Sequence, residues 1–173
     1  MDELYKNLVK VAPREQIHFK CKGCGTCCRN VKQQVPLETL DAFRIARYLQ
    51  NHGEPIQCMD DVLELYAEPA LLDECGYFVY FLKTVGENDA CIFLDENNRC
   101  KIHSVNPRAC RTYPFIAAPL DEGGFETLIS FERKFHFNGP VVHPRTWMKK
   151  RFTLEDKEFL QTDLGSAKEI ASL

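Results

Sequence analysis

The sequence predicts an α+β protein, a single small domain over residues 1–173 with cysteine-rich loops packed on a few helices and antiparallel hairpins. Three observations lead there. The length suits one domain, and a hydrophobic fraction of 45% supplies a core of ordinary size. Apolar residues recur at helical spacing in some stretches, whereas others are β-branched and aromatic runs flanking turn residues. Between them lies Cys21-Lys-Gly-Cys24-Gly-Thr-Cys27-Cys28, too rich in glycine and cysteine for regular structure, and therefore a loop.

Each element follows from local pattern. Leu4, Leu8, Val9 and Val11 suit a short helix ended by Pro13, and residues 16–20 read as extended, leading into the cysteine loop. Pro36 fits the first position of a helix that Leu37, Leu40, Phe43, Ala46 and Leu49 continue and Gly53 stops. A weaker helix runs from Asp60 to about Leu72, interrupted by Pro69, and residues 76–85 form a strand. Residues 91–94 and 100–102 make a hairpin about the turn Asp95–Arg99, and Pro107 opens a short helix carrying Cys110. Residues 115–120 and 125–132 flank Asp121-Glu-Gly-Gly124 as a second hairpin. From Thr153 the chain is helical, with Leu154, Phe159 and Leu160 as its apolar stripe.

Charge and hydropathy narrow the partners. A net charge of −3 and a pI near 6.0 give no overall basic balance, so nucleic acid is not expected. Apolar stretches fall short of the roughly 18–20 residues of a membrane span. The N-terminus starts acidic and lacks a secretory signal pattern, so the expected compartment is the cytoplasm.

Nine cysteines is a high count for such a chain. In a reducing compartment they are expected as metal ligands or redox groups rather than disulfides. The odd count also weighs against a disulfide scaffold. The first cluster has the spacing C-x2-C-x2-C-C. Each two-residue gap lets the chain turn back so that two sulfurs converge, and Gly23 and Gly25 permit the turn and expose amides to the sulfurs. Cys21, Cys24 and Cys27 thus have the spacing of the three-cysteine run in bacterial ferredoxins, whose remaining ligand comes from afar. Adjacent side chains tend to diverge, so Cys28 is expected to face a second site or to be a structural or redox thiol. The second cluster is Cys91, Cys100 and Cys110. Seven thiolates do not fill two four-coordinate sites; His103 as an eighth ligand, a bridging thiolate, or one cluster with spare thiols are the open solutions. Cys58 and Cys75 stand alone and are expected as buried cysteines filling apolar space.

The segments His18-Phe-Lys-Cys-Lys-Gly-Cys-Gly-Thr-Cys-Cys28, Cys91-Ile-Phe-Leu94, Cys100-Lys-Ile-His103 and Pro107-Arg-Ala-Cys-Arg-Thr-Tyr-Pro114 together resemble the YkgJ-like cysteine-cluster family, described as a zinc- or iron-chelating domain. The resemblance covers about residues 18–115, the expected metal-binding core, and maps Cys21, Cys24, Cys27, Cys28, Cys91, Cys100 and Cys110 onto the family's cysteines. The family often has tyrosine and arginine where this chain has His103 and Asn106, so ligation by His103 is peculiar to this chain. A flagellin lysine N-methylase is similar in the same cysteine pattern.

Other features have plainer readings. Arg108 and Arg111 are expected as surface charge, although they could also steer an anion or stabilise a negative cluster. Residues 131–137, Phe-Glu-Arg-Lys-Phe-His-Phe, alternate as a half-buried strand with Phe131, Phe135 and Phe137 inward. The same interleaving, with Lys149-Lys-Arg151, suits stacking and phosphate contact on single-stranded RNA, but the strand reading is preferred. No phosphate loop, nucleophile elbow, H-E-x-x-H or dinucleotide fingerprint is present.

The function expected is thus that of a cytoplasmic metal-binding protein holding an iron–sulfur centre or iron, alternatively zinc. Two alternatives stand beside it. One is a metal-dependent enzyme such as a protein lysine N-methylase or an oxidoreductase; the other is a metal-trafficking or adaptor protein. No paired acid and base can be assigned from the sequence, and no protein partner is indicated.

Overall fold

The structure is a computed structural model that describes residues 7–71, 78–120 and 122–171. It is α+β, with five helices and several small antiparallel sheets among the described residues. In chain order the elements are β1 (Leu8–Lys10), β2 (Ile17–His18), α1 (Thr39–Asn51), α2 (Met59–Tyr66), β3 (Ala67–Leu71), β4 (Phe78–Leu82), β5 (Thr84–Val85) and β6 (Ala90–Cys91). There follow α3 (Arg108–Thr112), β7 (Phe115–Pro119), β8 (Phe125–Ser130), β9 (Val141–Val142), α4 (Pro144–Arg151) and α5 (Leu154–Ala171). Two compact units are formed. One joins Met1–Lys22 to Ala109–Thr153, and the other joins Gly23–Arg108 to Leu154–Leu173.

The first unit is built on a three-stranded antiparallel sheet of order β1-β8-β7, with Leu8 opposite Ser130 and Phe115 opposite Ile129. The expected β7–β8 hairpin is present, its turn made by Gly123 and Gly124, both at positive φ. Residues 8–10 are a strand and not part of a helix, because their backbone pairs with Leu128–Ser130 far along the chain. Tertiary pairing there outweighs a weak helical pattern; Leu4 lies outside the described residues. Phe19 is buried at the centre, edge-on to Tyr113, His136 and Trp147 at 5.6, 6.2 and 5.4 Å between ring centroids. The Trp147 indole N–H donates to the Thr112 carbonyl at 2.9 Å, which fixes α4 against this cluster.

Residues 131–137 overturn the strand reading. After β8 the chain bends into a short 3₁₀ turn at Lys134–His136. His136 is the residue that turns inward, while Phe131 and Phe135 are 38% and 45% exposed. The alternation of apolar residues is real in the sequence, but the turn breaks the period of two that would have turned all three rings inward.

The second unit packs α1 and α2 with β3–β4 and β5–β6. Leu40, Ala42, Ile45, Ala46 and Leu49 form the buried stripe of α1, and Gly53 follows its end at positive φ. The helix starts at Thr39 rather than Pro36, because Pro36 bridges to Phe81 and the Leu37 N–H donates to the Tyr80 carbonyl at 2.8 Å. Likewise α2 stops at Tyr66, and Pro69 lies inside β3, in a two-stranded sheet that tolerates a missing donor. Cys91 pairs through β6 with β5, so the hairpin about Asp95 is reduced to one bridge, Leu94 to Cys100. Arg108 is not surface charge: it is 7% exposed, its guanidinium pairs with Glu38, and its backbone N–H donates to buried Asp41 at 2.9 Å. Arg44 ties α1 to α5 through Asp156 at 2.6 Å and Glu155 at 2.8 Å. No helix among the described residues is long and apolar enough to cross a membrane.

Candidate metal centre

Five of the seven clustered cysteines, Cys24, Cys27, Cys28, Cys91 and Cys100, belong to the unit that contains Gly23–Arg108. Their loop is shaped by glycine. Gly23 and Gly25 have φ of 60° and 68°, the left-handed region where a Cβ is penalised. Gly25 is required twice over, since a Cβ there would meet Asn98 Cβ and Arg29 Nη1 at 3.0 Å. From Gly25 the chain makes one 3₁₀ turn, Thr26–Cys28, closed by the Cys28 N–H donating to the Gly25 carbonyl at 3.0 Å.

That turn is fastened to the segment carrying the second cluster. The Asn30 and Val31 N–H groups donate to the carbonyls of Asn88 and Asp89 at 2.8 and 3.1 Å, and Arg29 bonds the Asn98 side chain. Cys91 is in β6 and buried, and Cys100 sits half-buried at the Leu94 bridge. Asp95 accepts the Asn97 and Arg99 N–H groups at 2.9 and 2.7 Å, so the loop between the two cysteines is held rigid.

Electrostatics links several of the sulfurs. Burial pushes the Cys91 thiol up, and charge on Cys100 and Cys27 adds to the shift. Burial also raises Cys100, with Cys27 and Asp95 adding to it. Cys24 moves the other way: the Thr26 hydroxyl, 3.2 Å from its sulfur, donates to the thiolate and holds it below the usual thiol range. Cys27 opposes that shift. Cys27 is therefore within electrostatic reach of Cys24, Cys91 and Cys100 together.

The adjacent pair is a correction. Cys27 and Cys28 do not diverge; their sulfurs are 3.8 Å apart. A tetrahedral metal with metal–sulfur bonds of ~2.3 Å has ligand sulfurs about 3.8 Å apart, so this separation fits two thiolates on one metal. A polar, glycine-turned loop with no hydrophobic packing of its own is also the donor environment that thiophilic metals take. Among the described residues, no three His, Cys, Asp or Glu side chains are placed to share one ion. The thiols are gathered without being closed on a single point.

The remaining candidates are dispersed. Cys21 is exposed and Cys110 half-buried in α3, both in the other unit. His103 is exposed on a 3₁₀ turn. Cys58 does not fill apolar space: it is exposed at the start of α2, where Asp61 accepts its N–H at 3.1 Å. Cys75 lies outside the described residues. None of the eight described cysteines is in a disulfide.

Sequence reasoning missed Thr26, the residue that acidifies Cys24. Its signal was a hydroxyl two residues after a cysteine in a tight turn, where a side chain can reach back to the sulfur.

No solved structure matches the chain. A family model described as "CxxCxxCC: Putative zinc- or iron-chelating domain" matches residues 20–138, which takes in all seven clustered cysteines and His103. That span is well over half of the molecule, and its defining spacing is the loop just described. The chain belongs to the CxxCxxCC family of zinc- or iron-chelating domains.

Proposed function

We propose that the protein holds its metal through Cys21, Cys24, Cys27, Cys28, Cys91, Cys100 and Cys110, and that the metal is iron in an iron–sulfur centre. The observation that carries this reading is Cys27, whose sulfur stands 3.8 Å from that of Cys28 and whose charge acts on Cys24, Cys91 and Cys100. Iron–sulfur is preferred to zinc because Cys21, Cys24 and Cys27, completed by a distant cysteine, have the ligand spacing of ferredoxins. When bound, such a centre supplies one-electron chemistry or an electrophilic iron.

This chain's own residues prepare the site. Thr26 lowers the Cys24 thiol and eases its deprotonation, Gly25 allows the loop to lie on Asn98, and Asp95 holds the Cys91–Cys100 loop in shape. Burial keeps Cys91 and Cys100 protonated until metal displaces their protons, so loading releases acid.

The test is metal and acid-labile sulfide analysis with an absorption spectrum, on protein purified without oxygen, for the parent, Cys27→Ala and Cys58→Ala. Iron with sulfide and a broad visible band, lost in Cys27→Ala and kept in Cys58→Ala, is the expected result. Zinc with a featureless spectrum would replace the cluster by a thiolate scaffold. Equal metal content in all three proteins would remove the ligand assignment.

A further inference from the structure

The net charge of the chain conceals an uneven distribution. The unit made of Met1–Lys22 and Ala109–Thr153 carries twelve Lys and Arg against seven Asp and Glu, a net of +5. The other unit carries ten against eighteen, a net of −8. A total of −3 therefore says nothing about what the positive unit attracts.

Four of those cations, Lys20, Lys22, Arg133 and Lys134, belong to the segments around one buried residue. His136, buried and bonded through Nδ1 to the Tyr113 hydroxyl at 2.9 Å, is that residue. The Lys20 N–H donates to the His136 carbonyl at 3.0 Å, and Lys134 precedes it by two residues in the same 3₁₀ turn. Burial lowers the His136 pKa, and Arg133 and Lys22 lower it further. Among the described residues, Lys20, Lys22 and Lys134 enter no ion pair. The one acid in the turn, Glu132, accepts from the Asn7 amide at 3.0 Å.

Two phenyl rings stand among these cations with their surfaces in solvent. Phe135 rests edge-on against His136 at 4.3 Å and is 45% exposed; Phe131 tilts against Phe137 at 4.8 Å and is 38% exposed. Each ring is braced from below by another ring. Braced, exposed aromatics interleaved with unpaired ammonium groups combine the two elements that bind a single strand: a face for a base to stack on and cations for the phosphates between bases. These rings lie on and beside a three-residue turn, which offers no amphipathic helix face to lie in a membrane interface.

We propose that the Phe131–Phe137 turn, with Lys20 and Lys22, binds single-stranded nucleic acid, Phe131 and Phe135 stacking on bases and Lys20, Lys22 and Lys134 neutralising phosphates. Phe135 and Lys134 are not among the proposed thiolate ligands, so in variants of those two residues metal content and nucleic-acid binding are separate readouts.

Fluorescence anisotropy of the full chain with a mixed-sequence RNA of about 20 nucleotides, longer than the roughly 4–16 that one such site covers, is the measurement. With three phosphates neutralised, affinity is expected to fall roughly twentyfold when salt rises from about 50 to about 200 mM. Phe135→Ala is expected to weaken binding roughly fivefold or more with that salt dependence unchanged. Lys134→Ala is expected to weaken binding and to reduce the salt dependence by about one phosphate contact. Both side chains are exposed, and unchanged metal content and circular dichroism verify that each variant is folded. No RNA binding at about 50 mM salt overturns the proposal. So does parent-like affinity in Phe135→Ala, or binding to phosphatidylserine vesicles in place of RNA.

Discussion

Single atoms set the chemistry of the cysteine loop. The Thr26 hydroxyl lies 3.2 Å from Cys24 Sγ, so in the metal-free protein Cys24 is expected to react first with iodoacetamide near pH 7.5, ahead of buried Cys91. Thr26→Val should slow that labelling, read site by site by mass spectrometry; an unchanged order would remove Thr26 from the account. The two glycines give a matched pair. Gly23 and Gly25 share a left-handed φ, but only Gly25 lies against Asn98. Gly23→Ala is expected to cost about 1–2 kcal/mol for the backbone alone, and Gly25→Ala about 1–3 kcal/mol more for the forced contact. Urea unfolding of the metal-free protein compares them, and equal losses would mean that the loop yields at Asn98. At this scale the ligand spacing was legible, because a C-x2-C turn is a local property. The closeness of Cys27 and Cys28 was not, since it depends on the one 3₁₀ turn that carries both. Nor was the exposure of Cys58, a residue placed by helix capping and not by its hydrophobicity.

Between elements, buried and exposed ion pairs separate by magnitude. Arg108, 8% exposed in its side chain, pairs with Glu38 at 15%, joining the start of α3 to the start of α1. Arg44 reaches Glu155, which is 60% exposed. Glu38→Ala removes the carboxylate that pairs with a buried guanidinium and is expected to cost about 3 kcal/mol. Glu155→Ala is expected to cost less than about 1 kcal/mol. Similar denaturation midpoints for the two variants would show that Arg108 finds another partner. Helix α1 and the β7–β8 hairpin were legible because their patterns are long or their turn residues unambiguous. The helix α4 was overlooked although Pro144 stands at its first turn, a usable start signal. The strand reading of residues 131–137 failed because the 3₁₀ turn at Lys134–His136 carries His136 inward and leaves Phe131 and Phe135 exposed, which a period of two could not foretell.

Across the molecule, the positive unit makes stability depend on pH through His136. Burial, then Arg133 and Lys22, hold it below its ordinary 6.5. Between that lowered value and 6.5 only the unfolded chain takes up the proton, so the contribution is complete above pH 6.5 and declines as pH falls below it. The parent should lose more stability than His136→Gln between about pH 7.5 and about pH 5.5, measured by urea unfolding. Identical losses would assign the pH dependence elsewhere. The charge partition itself was invisible in composition, because which lysines share a unit is decided by which strands pair.

That pairing also has a consequence for the order in which the molecule is made. Leu8–Lys10 waits for Leu128–Ser130, and Ile17–His18 for Val141–Val142, so both N-terminal strands leave the ribosome with more than a hundred residues still to be translated before their partners exist. Cys24, Cys27, Cys28, Cys91 and Cys100, by contrast, have all been synthesised once residue 100 is joined. During vectorial synthesis the thiol loop can find its neighbours, and meet its metal, while the unit that encloses it in sequence is still half written.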